Sequence, residues 1–253
     1  MIDLHTHVLP GIDDGPASMD RALEVAARAA GAGVRTMAAT PHLRADHPAV
    51  RPPELAGRVD ALNRALAAAG VGVEVVPGGE VDLLWAQEAA DEDLRLVSYG
   101  QRGTDLLVET PYGELPPNFD DVLFRLAMRG FRLLLAHPER NPTFQRHPDR
   151  LAALGERGVL MQVTAAALAG PRGAGGRLAR SLVLEERAHV IASDAHGPEA
   201  GVRASLAEGV RSVPRAVRRR AEWMTTEAPA AILAGEPLPS APAARRRRWT
   251  RRG

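Results

Sequence analysis

Met1-Ile2-Asp3-Leu4-His5-Thr6-His7 is a short apolar run that ends in two histidines one residue apart, and the chain repeats this device to its far end. The run 34–39 leads into Thr40-Pro41-His42, the run 73–76 into Gly78-Gly79-Glu80, and the run 106–108 into Glu109. The run 133–136 leads into His137-Pro138-Glu139-Arg140, and the run 190–192 into Ser193-Asp194-Ala195-His196. Only the run 159–163, ending near Gln162-Val163-Thr164, offers no obvious ligand. Between the runs lie amphipathic stretches. Residues 19–30 put Leu23, Ala26, Ala27 and Ala30 on one face after the cap candidate Ser18. Residues 54–69 align Leu55, Val59, Leu62 and Leu66 and stop at Gly70, and residues 120–129 stop at Gly130. Seven strand–helix alternations predict a parallel α/β architecture, a barrel or an open sheet. In such folds functional groups gather at the carboxyl ends of the strands, where six of these seven runs carry them.

Composition removes several alternatives. Among 253 residues, 45% apolar and 25% charged, there is no cysteine, and all 32 basic residues are arginine. A thiolate metal site, a disulfide framework and a cysteine nucleophile are therefore excluded. So are a Walker A loop, a Schiff base and a kinase-type ATP lysine. The chain opens without a basic and apolar leader, and no apolar run approaches the roughly 20 residues of a spanning helix, so a cytoplasmic protein is expected.

From Pro237 the sequence loses periodicity and reads PLPSAPAARRRRWTRRG. The expected division is one domain, 1–236, and a disordered Arg-rich tail, 237–253. The net charge of +1 averages two unlike parts: without the six arginines of the tail, 26 basic residues face 31 acidic ones. The tail could touch an anionic membrane surface or an acidic partner; no nucleic acid is expected. The glycine-rich segment 170–176 lacks the spacing of a phosphate loop and reads as a flexible loop.

An H-x-H at a strand end puts two imidazoles on one side, because strand side chains alternate with period two. Asp194 and His196 repeat the spacing, and Glu80 and Glu109 are available to bridge. The result is an all-N/O ligand field suited to Mn, Zn, Fe or Mg, a setting that polarises phosphoryl oxygens and supplies hydroxide at neutral pH. Histidines 47, 147 and 189 lack the strand-end position and read as structural. Asp13 and Asp14, inside Gly-Ile-Asp-Asp-Gly-Pro, read as a turn.

The strings DLHTHVLPGIDDGP, ATPH, GGEV, HPERN, QVTAAALAG and ASDAH, spread over residues 1 to about 235, resemble the polymerase-and-histidinol-phosphatase (PHP) superfamily of metal-dependent phosphoesterases. Within it they look most like the capsular-polysaccharide protein-tyrosine phosphatase branch. The resemblance implies a distorted seven-stranded (β/α)7 barrel of TIM-like type around a three-metal cluster, Mn2+ above the others. It also implies metal ligation by His5, His7, Asp14, His42, Glu80, Glu109, His137, Asp194 and His196. The implied reaction is hydrolysis of phosphotyrosine on a bacterial tyrosine kinase that controls exopolysaccharide production. Arg140, three residues past His137, is the expected phosphate-gripping arginine, and Arg203 takes the place of a second one. Thr110, between Glu109 and Pro111, replaces an aromatic common in the family. Two other readings stay open: a histidinol-phosphatase-like or nuclease-like phosphoesterase, and a regulatory metal-binding protein without turnover.

Overall fold

A computed structural model describes residues 1–171, 173–197 and 205–243. Each of the seven apolar runs forms a strand, and two further strands of two residues each follow the second and third runs. In chain order they are β1 (Ile2–Thr6), β2 (Thr36–Ala39), β3 (His42–Leu43), β4 (Glu74–Pro77), β5 (Glu80–Val81), β6 (Asp105–Glu109), β7 (Arg132–Ala136), β8 (Leu160–Thr164) and β9 (Val190–Ala192). All pairings among them are parallel.

The strands divide between two sheets rather than following one closed ring: β1-β2-β4 form one, β3-β5-β6-β7-β8-β9 the other. The break has a sequence cause. Pro41 and Pro77 have no N–H to give to a ladder, and Gly78-Gly79 adds freedom at the second interruption. The chain therefore leaves the first sheet after β2 and β4 and enters the second at β3 and β5. At the other seam, a single parallel bridge, Thr6 to Ala195, links β1 to the chain leaving β9. His7 N–H donates to Ala195 O at 2.8 Å, and Asp194 N–H to His5 O at 2.9 Å. The buried Asp3 carboxylate accepts from Ser193 N–H at 3.0 Å and closes the same seam from below.

Period two explains why one end of this assembly is apolar and the other polar. Leu107 and Glu109 lie on one face of β6, and Leu160 and Gln162 on one face of β8. Leu4, Leu107, Leu134, Leu160 and Val190 meet Tyr99 and Ile232 in an inner apolar cluster. Burying each such leucine contributes about 1.5–3 kcal/mol. A larger cluster joins the outer strand faces to the helices.

The helix Leu55–Ala68 buries Leu55, Val59, Leu62 and Leu66, as its spacing predicts. The helix Met19–Gly31 takes its cap from Ser18, whose side chain accepts from Arg21 N–H, but it buries Ala22, Val25 and Ala26. Of the predicted face Ala26 is buried, Leu23 and Ala30 pack half-buried on the core, and Ala27 is exposed.

The segment 170–176 is not a loop throughout. The helix Ala174–Leu184 begins inside it, and a Cβ on Gly175 would stand 2.9 Å from the carbonyl oxygen of Glu139. Glycine there lets this helix press on the turn that carries Arg140. Residues 237–243 form neither helix nor strand, and Leu238 and Ala241 pack on the core. Residues 244–253 of the expected tail lie outside the described residues. No helix among the described residues is long and apolar enough to cross a membrane.

Candidate metal centre

The strand ends bring nine donors together. His5 is the last residue but one of β1 and His7 follows the strand; His42 opens β3 and Glu80 opens β5; Glu109 ends β6, His137 follows β7, and Asp194 and His196 follow β9. Asp14 arrives from the turn after β1, where a Cβ on Gly15 would lie 2.2 Å from His7 O. Only glycine lets that turn fold back over the strand end. The nine fall into four overlapping groups, each with ligand atoms within 4.8 Å of one another: His7, Asp14, His42 and His196; His5, His7 and Glu80; His5, His137 and Asp194; His42, Glu80 and Glu109. Every residue that the sequence reading named as a metal ligand is in this constellation. Arg203 lies outside the described residues.

Glu80 sits at the middle. Its Oε2 is 3.0 Å from His42 Nδ1, 3.3 Å from His5 Nε2 and 3.5 Å from His7 Nε2, and Oε1 is 2.9 Å from His137 Nε2. Yet Glu80 Oε2, His42 Nδ1, Glu109 Oε2 and His137 Nδ1 are buried without a hydrogen bond. Fully buried polar atoms left without a hydrogen bond are costly unless something else binds them. Two side chains in the site also hold left-handed backbone, His137 at φ 34° and Asp194 at φ 55°, a strain tolerated when it serves a site. The donor set, imidazole and carboxylate only, fits Mn, Fe, Zn or Mg.

Around the donors stand residues that are not in the expected ligand set. His5 Nδ1 donates to Gln162 Oε1 at 3.0 Å, and the same oxygen accepts from His137 N–H at 3.2 Å. A carbonyl oxygen can only accept, so His5 carries its proton on Nδ1 and turns the Nε2 lone pair inward. Asp13 does the same for His7, accepting from its Nδ1 at 2.8 Å, and also accepts from the backbone of His42 and Gly15. Such outer partners fix ligand orientation and basicity. Arg44, whose fork is held by Asp46 at 2.7 and 3.0 Å, reaches Glu109 Oε1 at 3.3 Å. Arg140 reaches Asp194 Oδ2 at 2.5 Å from the other side. Gln162 carries no charge and Asp13 sits in a turn-forming string, so neither had a signal of residue type.

The charges are strongly interdependent. Burial works against the Glu80 carboxylate, but His5, His137 and His42 outweigh it and hold Glu80 well below the usual range. Asp194 is depressed in the same way by His5, His7 and Arg140. Burial also works against charging His5 and His7; their carboxylate partners outweigh it and raise both, His7 strongly. Glu109 goes the other way, up to about 7, through burial and the neighbouring Glu80 charge. In the metal-free protein, then, protons on imidazoles and on Glu109 occupy the place of external cations.

A cavity of about 900 Å³ opens onto this cluster past Asp14, Asp194, His196, Arg140 and Tyr112. The fold and the site together define a parallel α/β protein with a multi-donor metal pocket at the carboxyl end of its strands. The chain belongs to the capsular polysaccharide synthesis family CpsB/CapC, whose family model matches residues 1–234. It is 32% identical over 197 residues to the tyrosine-protein phosphatase YwqE of Bacillus subtilis strain 168, covering 78% of this chain and 77% of that one. It is 24% identical over 207 residues to the tyrosine-protein phosphatase CpsB of Streptococcus pneumoniae, covering 78% and 83%. One of the crystal structures of YwqE and CpsB, metal-dependent tyrosine phosphatases, superposes with a TM-score of 0.83 at 28% identity, over 98% of this chain and 100% of that one.

Proposed function

We propose that this protein is a metal-dependent protein-tyrosine phosphatase acting in capsule or exopolysaccharide synthesis, with a bacterial tyrosine kinase as its phosphoprotein substrate in the cytoplasm. The observation that carries the reading is the convergence of nine imidazole and carboxylate donors around Glu80. His5, His7, Asp14, His42, Glu80, Glu109, His137, Asp194 and His196 would hold the metals, with manganese the first choice on the family resemblance, the donor set itself fitting Mn, Fe, Zn or Mg alike. Divalent ions there would supply Lewis acidity toward a phosphoryl group and ionise water near neutral pH. The finer fold reading is a distorted seven-unit barrel, supported by the Thr6–Ala195 bridge and by β3 and β5 continuing β2 and β4. The domain reading remains 1–236 plus an Arg-rich tail.

The protein's own groups divide the remaining work. Arg140, at the rim beside Asp194, offers a planar fork to the non-bridging phosphoryl oxygens and orients them. Arg203 is the second arginine of the same reading. Asp13 and Gln162 keep His7 and His5 in the tautomer whose Nε2 faces inward. A phenol, with a pKa of about 10, leaves with less need of protonation than an aliphatic alcohol, so an aryl phosphate is the easier substrate for such a site.

The test is chelation. Metal-stripped protein should lose hydrolysis of a phosphotyrosine peptide and regain it with Mn2+; full activity after verified metal removal overturns the reading. Running histidinol phosphate and a single-stranded oligonucleotide in parallel separates the phosphatase from its phosphoesterase alternatives. Arg140→Ala should keep its metal and lower kcat/KM by about 10²–10³-fold, the usual cost of one preorganised donor to transition-state charge. Gln162→Leu should weaken metal binding by about 10–100-fold in a direct titration, whereas Gln162→Glu, which keeps an acceptor for His5, should recover most of it. Equal affinity in all three proteins would remove Gln162 from the site's design.

A further inference from the structure

Five large apolar side chains stand well exposed among the described residues: Leu84, Tyr112, Phe124, Met128 and Leu184. Of these, Tyr112 alone lines the cavity that opens onto the donor cluster. It is 59% exposed, and its ring lies 6.3 Å from that of His137 with the planes only 26° apart. Single exposed apolar side chains are ordinary; what sets Tyr112 apart is its ring's place in the wall of the cavity that leads to the donors.

The backbone around Tyr112 is clamped. Asn141 Nδ2 donates to Pro111 O at 2.7 Å and to Gly113 O at 2.8 Å, the carbonyls on either side of Tyr112. Asn141 is itself fully buried and directly follows Arg140. One side chain thus ties the tyrosine to the turn that carries both His137 and Arg140. Pro111 restricts the chain further. The backbone that carries the ring is thereby held against the turn of Arg140. The charges of Arg140 and Glu109 both act on its phenol, and Arg44 is near enough to interact with it from the opposite rim.

We infer that Tyr112 is the specificity-determining residue of this site, a rigid platform on which the aryl ring of a phosphate monoester stacks while its phosphoryl group enters the donor cluster beside Arg140. The inference rests on the phosphatase reading above and adds to it the reason for choosing aryl over alkyl esters. An offset aromatic pair supports a modest preference, a factor of about 2–12. The ring face supplies it, so the hydroxyl is dispensable.

The experiment compares wild type, Tyr112→Ala and Tyr112→Phe, all loaded with Mn2+, on phosphotyrosine and phosphoserine peptides of one sequence. Tyr112→Ala is expected to raise KM for the phosphotyrosine peptide about 3–10-fold with little change for phosphoserine, and Tyr112→Phe to match wild type. Metal content should be equal in all three. A loss shared equally by both peptides, or no loss, overturns the platform. A second readout needs no turnover: phenylphosphonate should bind the loaded wild type more tightly than ethylphosphonate, and Tyr112→Ala should erase the difference. If that selectivity is present in a protein that hydrolyses neither peptide, the platform stands and the phosphatase reading falls.

Discussion

Glu80→Gln is expected to abolish both metal retention and phosphotyrosine hydrolysis while leaving the fold intact. Glu80 belongs to two of the four donor groups, and its two oxygens approach the imidazoles of His5, His7, His42 and His137 within 2.9–3.5 Å. Glutamine has the same shape but replaces one anionic acceptor by an N–H2 donor that no cation tolerates at ligand distance. The loss should reach at least about 10³-fold in kcat, equivalent to roughly 4 kcal/mol of barrier. Elemental analysis after dialysis should show metal falling well below the wild-type stoichiometry, with a circular dichroism spectrum unchanged. Glu109→Gln makes the internal comparison. Glu109 belongs to one group only and already shares its charge with Arg44, so its loss should be partial. A Glu80→Gln protein that keeps full metal and full rate would show that the cluster is not the reacting centre.

The sequence made this centre legible because its donors differ in kind from their surroundings. A histidine or carboxylate directly after an apolar run stands out, and the parallel α/β rule says that such strand ends converge. That is why His5, His42, Glu80, Glu109, His137 and Asp194 could be named one by one from six separate places in the chain. What stayed hidden obeys no such contrast. Gln162 lies in the middle of β8 as an uncharged residue, and its importance comes from two hydrogen bonds, to His5 and to the backbone of His137. Asp13 reads as a turn former, and it is one, but the same turn aims its carboxylate at His7. Tyr112 lies in a loop, where period and burial say nothing, and only the clamp by Asn141 gives it a fixed place.

The fold divides along the same line. Seven apolar runs became seven strands, but β3 and β5 are two residues long, below what periodicity can detect. They matter because they begin with His42 and Glu80 and pair with each other in register, His42 opposite Glu80. The proline and glycine interruptions before them read as strand ends. In the structure they are the bends that turn the second half of each strand toward the centre.

Metal removal should reverse the pH dependence of stability. In the metal-free protein His5 and His7 hold protons more tightly than they would unfolded, and Glu109 titrates near 7 rather than in the ordinary carboxylate range. A group with a raised folded pKa contributes stability that is complete below its unfolded pKa and disappears as pH climbs through the folded value. For the histidines that loss begins above about 6.5. Glu80 and Asp194, both depressed, lose their contribution only in acid, and His196, lowered, is neutral in both states above this point. Above about pH 6.5 these site groups together bind more protons in the native metal-free protein than in the unfolded chain, so their contribution to stability falls as pH rises; the Met1 amino group, lowered by burial and Arg35, opposes them. Metal ions reverse the sign, because they bind the deprotonated donors and release those same protons, so their stabilisation grows with pH. Each unit of raised pKa is about 1.4 kcal/mol when fully expressed. In a chain this long that lowers Tm by about 2–4 °C per kcal/mol. Thermal melts of chelated and Mn2+-loaded protein from pH 6.5 to 8.5 should accordingly diverge, the first curve descending and the second level or rising. A chelated protein whose Tm rises over that interval would mean that His5 and His7 are not held protonated by Glu80 and Asp194, and that something other than protons balances the carboxylates of the empty centre.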